Sequence, residues 1–224
     1  MSRLNTVSRA PLTLHSEQDF KPRPEPIRHA REHPLAGTGT SQSKVQLGFW
    51  IYLMTDCILF ATLFATFMVL RGQTAGGVSG TEIFDLPYVF FETILLLLSS
   101  FASGLALLSA HARNKAATLS WLAVVGLFGA AFLGMELYEF HGLVAEGHNW
   151  KQSAFLSSYF GLVGTHGLHI FTGLVWLGAS ALYLKSRGFS RRFMTRLQLF
   201  TMFWHFLDLV WVGIFTIVYL LGVM

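Results

Sequence analysis

The chain has a single cysteine, Cys57, and it lies inside a long apolar run. That excludes a disulfide framework, a CxxC pair and any cysteine-built metal site within this chain. Charge is scarce too: Asp, Glu, Lys and Arg make up 12% of the 224 residues against 53% hydrophobic, with mean hydropathy +0.50. A soluble globule does not have this balance; a polytopic membrane protein does. Both common phosphate-cradling patterns are missing, GxxxxGK(S/T) and a GxGxxG following a strand, and there is no repeat of fixed period. No segment reads as a separate soluble domain, and nothing points to a nucleic-acid partner.

What the chain does have is apolar runs long enough to span a bilayer, for which about 20 residues suffice. Five are expected, near 47–70, 87–110, 119–143, 154–184 and 196–223. The fourth is too long for an upright helix, so it is expected to tilt or to end in an extramembrane turn. Basic residues set the orientation. The N-terminal tail holds Arg3, Arg9, Lys21, Arg23, Arg28, Arg31 and Lys44. Arg113 and Lys115 follow the second run, and Lys185, Arg187, Arg191, Arg192 and Arg196 follow the fourth. Of the 16 Lys and Arg residues only Arg71 and Lys151 are left for the other side. The fold class is therefore all-α, a five-span membrane protein with its N-terminus cytoplasmic and its C-terminus periplasmic.

Residues 1–45 are polar and carry four prolines between Pro22 and Pro34, with Lys21-Pro22-Arg23-Pro24-Glu25-Pro26 at their centre. Alternating proline favours extended polyproline II and builds no core, so this segment reads as a disordered cytoplasmic arm. It either has no specific partner or docks on a neighbouring subunit or anionic lipid. It is too polar for a cleaved signal peptide, so the first span is expected to act as an uncleaved anchor. The connection from Arg71 to Pro87, with Gly76, Gly77 and Gly80, allows tight turns. Residues 46–224 form one five-helix membrane domain.

Nine ionisable side chains lie within these spans: Asp56, Glu92, Glu136, Glu139, His141, His166, His169, His205 and Asp208. A charged side chain at mid-membrane costs roughly 3 kcal/mol on insertion scales, so such groups belong in a protein interior, a water-filled path or a partner interface. Asp56 lies roughly 13 Å into the first span, and His205 and Asp208 at similar or greater depth in the fifth, so the three are expected to meet. His205 and Asp208 are i,i+3 on one helical face, as are Glu136 with Glu139 and His166 with His169. Glu92 opens the second span on the far side, near the two glutamates. A Glu/His network bridging the third and fourth spans is expected there.

Three readings of these residues compete. Histidines on different helices, such as His166 and His205, are the usual holders of b-type haem. Chains of Asp, Glu and His mark proton or ion paths. Polar residues also pin helices to each other or to a partner. On physics alone the static reading ranks first; no broken helix or inverted repeat of transporter type is present. Gly126, Gly129 and Gly134, with Gly161, Gly164, Gly167 and Gly173, fit close helix packing. Trp50, Tyr52, Trp121 and Trp150 read as belt residues at the interfaces, whereas Trp204 and Trp211 lie within the fifth span and flank His205 and Asp208.

Four ordered motifs carry a resemblance. They are Gly48-Phe49-Trp50-Ile51-Tyr52-Leu53-Met54-Thr55-Asp56-Cys57, Gly134-Met135-Glu136-Leu137-Tyr138-Glu139-Phe140, Gly164-Thr165-His166-Gly167-Leu168-His169 and Trp204-His205-Phe206-Leu207-Asp208-Leu209-Val210-Trp211. In this order and topology the chain, over about residues 44–224, resembles subunit III of the haem-copper respiratory oxidases, in the five-span form of bacterial bo-type ubiquinol oxidases.

The resemblance implies an accessory subunit of a proton-pumping terminal oxidase in the bacterial inner membrane, with no catalytic, metal or cofactor-binding residues of its own. Haems and copper are expected in the catalytic subunit I, which reduces dioxygen to water. Subunit III would pack on it with the other oxidase subunits, bind phospholipid, and support the enzyme's stability or its proton uptake. Asp56 falls where cytochrome c oxidases of the family carry a buried, carbodiimide-reactive glutamate; the shorter Asp is a departure, and its side chain is expected to face lipid or a cleft. Having five spans rather than seven favours the quinol branch. The polar set Asp56, Glu92, Glu136, Glu139, His166, His169, His205 and Asp208 would then be structural, or related to lipid or protons. Two alternatives stay open: a free-standing b-type haem electron-transfer protein, and subunit III of a cytochrome c oxidase.

Overall fold

Apolar runs of this length leave the backbone no hydrogen-bonding partner in lipid except itself, so each becomes a helix. A computed structural model describes residues 36–73, 86–147 and 153–221. Its helices are α1 (Ala36–Leu70), α2 (Leu86–His111), α3 (Lys115–Ala145), α4 (Ala154–Arg187) and α5 (Arg191–Ile214), the last continued by a π-helical turn, Phe215–Leu220. All five are long and apolar enough to cross a membrane, and there is no strand among the described residues. The disordered-arm reading, apart from the residues from Ala36 onward that are helical, falls outside the described residues, as do the turns at Gly76, Gly77 and Gly80 and the belt position of Trp150. The fourth span is a single unbroken helix of 34 residues, about 51 Å of rise, with no turn inside it.

Side-chain caps fix where three helices start. Asn114 accepts from the Ala117 amide, Ser153 from Leu156 and Ser190 from Phe193, each at 3.1 Å, and so each satisfies an amide the helix cannot. The α2–α3 link is three residues long and turns on Arg113, which adopts a left-handed φ of 57°; the α4–α5 link turns on Gly188 at 70°. Both links lie at one end of the bundle, where Lys115 Nζ donates to the Lys185 carbonyl at 3.0 Å. The basic residues of the two links are thus neighbours in space.

The chain divides into a unit Met1–Gly39, of which only residues 36–39 are described, and a unit Thr40–Met224 that holds the helical bundle. Within that second unit, α2 packs most closely with α3, α3 with α4, α4 with α5, and α5 back against α2, which closes a four-helix ring. Trp204 is its keystone. The indole lies between glycines of two helices: a Cβ on Gly173 would come within 2.7 Å of the ring and one on Gly129 within 2.9 Å. Its Nε1 donates to Ser99 Oγ on α2 at 3.1 Å, and Ser99 donates to the Val125 carbonyl on α3 at 3.2 Å. One side chain therefore couples all four helices. One and a half to two turns further on, Trp211 repeats the device by donating to Thr93 Oγ1 on α2 at 3.0 Å. Of the other glycines expected to be helix contacts, Gly126 meets Leu177 and Gly167 meets Glu136, whereas Gly134 and Gly161 face open space.

Helix α1 runs antiparallel along α4, with Phe49 on Trp176, Phe60 on His166 and His169, and Phe67 on Phe155. It touches α5 where Phe64 lies over Gly213. Backbone approaches to the ring are few, and most of its large side chains face outward.

Candidate functional site

The polar residues of the spans sort into three groups. At the end of the bundle away from the basic links, Glu139 on α3 accepts from Tyr159 on α4 at 2.9 Å and from Tyr219 of the π turn at 3.3 Å. The two phenol oxygens lie 3.0 Å apart, close enough for one to donate to the other in place of its bond to the carboxyl. Glu136 and Glu92 lie within electrostatic reach of Glu139. Glu92 is fully buried on α2, and neither of its oxygens has a hydrogen-bond partner among the described residues. Beside it, Tyr88 donates to the Met135 carbonyl at 3.1 Å. The carboxyl of Glu136 rests directly on the Cα of Gly167, so any larger residue at 167 would collide with it.

The expected Glu/His network is not what bridges α3 and α4. Glu139 makes the bridge through tyrosines, because the i,i+3 histidines turn elsewhere. His166 is fully buried with both ring nitrogens unpartnered among the described residues, stacked on Trp211 at 5.2 Å and edge-on to Phe132 at 6.0 Å and Phe60 at 6.3 Å. His169 bonds the Thr165 carbonyl through Nδ1 at 2.7 Å and presents Nε2 to Asp56 on α1 at 3.7 Å.

That pairing corrects a second expectation. Asp56 does not meet His205 and Asp208; it is buried and turns inward to α4. Depth was a fair guide, but α1 lies against α4, and depth says nothing about which neighbour a helix faces. The third group is formed by His205 and Asp208 with a residue that sequence reasoning passed over, Ser100 on α2, whose Oγ bonds His205 Nδ1 and lies close to Asp208. Trp204 and Trp211 do not flank this group; both point into the ring. His141, also among the nine, is exposed one turn from the end of α3.

The geometry does not suit a b-type haem. Three aromatic rings wall in His166 and leave no face for a macrocycle, while His205 turns to Ser100 on α2. No three His, Cys, Asp or Glu side chains among the described residues converge as metal ligands would. Glu139, His205 and the two indoles Trp204 and Trp211 instead tie one helix to the next.

Comparison with known proteins agrees with this arrangement. The family model described as cytochrome c oxidase subunit III matches residues 29–223. The chain belongs to that family, subunit III of the haem-copper oxidases. It is 54% identical to the cytochrome bo(3) ubiquinol oxidase subunit 3 of Pseudomonas aeruginosa over 88% of this chain and 92% of that one. It is 40% identical to cytochrome c oxidase subunit 3 of Bacillus sp. PS3, over 93% and 99%. Quinol oxidase subunit 3 of Bacillus subtilis matches at 43%, over 79% and 86%. Subunit III is an accessory subunit of a terminal oxidase, and a scaffold of helix-to-helix tethers is the architecture such a role asks for.

Proposed function

We propose that this chain is the five-span subunit III of a bacterial, proton-pumping ubiquinol oxidase. It sits on the catalytic subunit I in the inner membrane with its N-terminal arm (residues 1–45) cytoplasmic, and it binds phospholipid. The observation that carries the reading is the 54% identity, nearly end to end, to relatives named as bo(3) ubiquinol oxidase subunits. The similarly long match to a relative named as a cytochrome c oxidase subunit is why the electron donor needs its own test. Haems and copper belong to the catalytic partner in this reading. Asp56, Glu92, Glu136, Glu139, His166, His169, His205 and Asp208 are then structural: they fix helix rotation or face a partner, and none acts in catalysis.

The test is a tagged chain extracted in mild detergent. Reduced-minus-oxidised spectra and quinol oxidation are recorded before and after a wash that strips partners. Haem, a large hydrophobic subunit and quinol oxidase activity should arrive together and leave together. Haem that stays with the stripped 25 kDa chain would overturn the reading, and cytochrome c oxidation in place of quinol oxidation would move the chain to the other branch.

A further inference from the structure

Of the nine ionisable side chains in the spans, seven are buried or half-buried and His141 is near a helix end. His205 alone is both exposed and deep, at the midpoint of the 30-residue span Arg191–Leu220. An imidazole facing acyl chains at that depth is unfavourable, so something polar covers it. We propose that the α2–α5 face around His205 is the surface by which this chain docks on a transmembrane helix of another oxidase subunit, one that presents a hydroxyl or amide side chain at mid-membrane. The inference rests on the seating proposed above and adds its face and chemistry.

The local hydrogen bonds define what the partner must bring. Ser100 Oγ bonds His205 Nδ1 and so occupies one ring nitrogen. The other, Nε2, has no hydrogen-bond partner among the described residues. Lipid tails offer neither donor nor acceptor, and headgroups lie about 15 Å away, half the hydrocarbon thickness. A serine, threonine, asparagine or glutamine side chain on an adjacent helix can give or take the bond and meets the requirement. The surroundings suit such a helix: Phe101 on α2 is 67% exposed and Leu209, one turn beyond His205, is 70% exposed, with Leu97 and Val212 extending the patch. A polar centre inside an apolar rim is what a buried helix–helix contact needs and what a lipid-facing surface avoids.

The intact oxidase complex provides the test. A benzophenone amino acid replaces Leu209, or Val175 on the outer side of α4 as a control, and membranes are irradiated before purification. Leu209 is expected to give an adduct mapping to a transmembrane peptide of another oxidase subunit, and Val175 adducts with lipid. In parallel, His205→Leu should lower the fraction of chain retained on the complex after a stringent wash about tenfold, the effect of losing one good buried contact, while His205→Gln, which keeps a hydrogen-bonding group, retains most of it. Lipid-only adducts at Leu209, or unchanged retention of His205→Leu, overturn the assignment of this face while the complex itself stands. If the unmodified chain brings down no oxidase subunit, the seating on a catalytic partner fails as well.

Discussion

The α2–α5 ring and helix α1 are built from the same residue types but held by different forces. In the ring, Trp204 and Trp211 aim polar atoms at hydroxyls on α2, and glycines on α3 and α4 let the first indole lie flat between backbones. Helix α1 has aromatic edges, one phenyl over Gly213, and an Asp56–His169 pair at 3.7 Å, too long for a direct hydrogen bond. In lipid the hydrophobic effect does little to hold helices together, so close packing and directed hydrogen bonds decide rigidity. The ring has both, whereas α1 has mostly contact, and should be the element that moves.

Substitutions at three positions would break or sharpen this contrast. Trp204→Ala should cost about 3–5 kcal/mol, because it empties the site of one of the two largest fully buried side chains and takes from Ser99 its indole donor. Thermal unfolding of the detergent-solubilised complex should show a large downward shift. Glu139→Ala removes the acceptor shared by Tyr159 and Tyr219 and should cost roughly 1–3 kcal/mol; one phenol can then donate to the other, which keeps it below the first. Glu139→Gln, still an acceptor, should recover most of the loss in the same melt. Asp56→Asn should cost only about 0.6 kcal/mol, the average for a polar contact within a membrane. Hydrogen exchange should quicken along α1 and leave the ring amides unchanged. If Asp56→Asn loosens the ring as much as Glu139→Ala does, the two regions are one cooperative unit and the contrast is wrong.

Much of this architecture is legible in the residues. Span number follows from apolar length, and the two basic links lie together as the charge pattern requires. Gly129 and Gly173 read correctly as packing positions, yet Gly134 and Gly161, similar in context, do not. The reason is that a spanning helix is apolar all round, so sequence gives depth but not rotation. Asp56 was therefore assigned the wrong neighbour, and the i,i+3 spacing of His166 and His169 hid that they face different partners. Ser99, Ser100 and Thr93 escaped notice because hydroxyls in apolar runs usually bond their own helix. A signal for two of them existed: indoles seven residues apart on α5 need two acceptors on an antiparallel neighbour, and Ser99 and Thr93, six apart on α2, supply them.

The three-residue link at Arg113 bears on which helices depend on which. With so short a connection, α2 and α3 are a hairpin of neighbours in sequence and in space. Ser99 finds its acceptor, the Val125 carbonyl, within that pair. The serine hydroxyl can thus be satisfied without α4 or α5, and the α5 indole Trp204 then adds its bond to an oxygen the hairpin already orients.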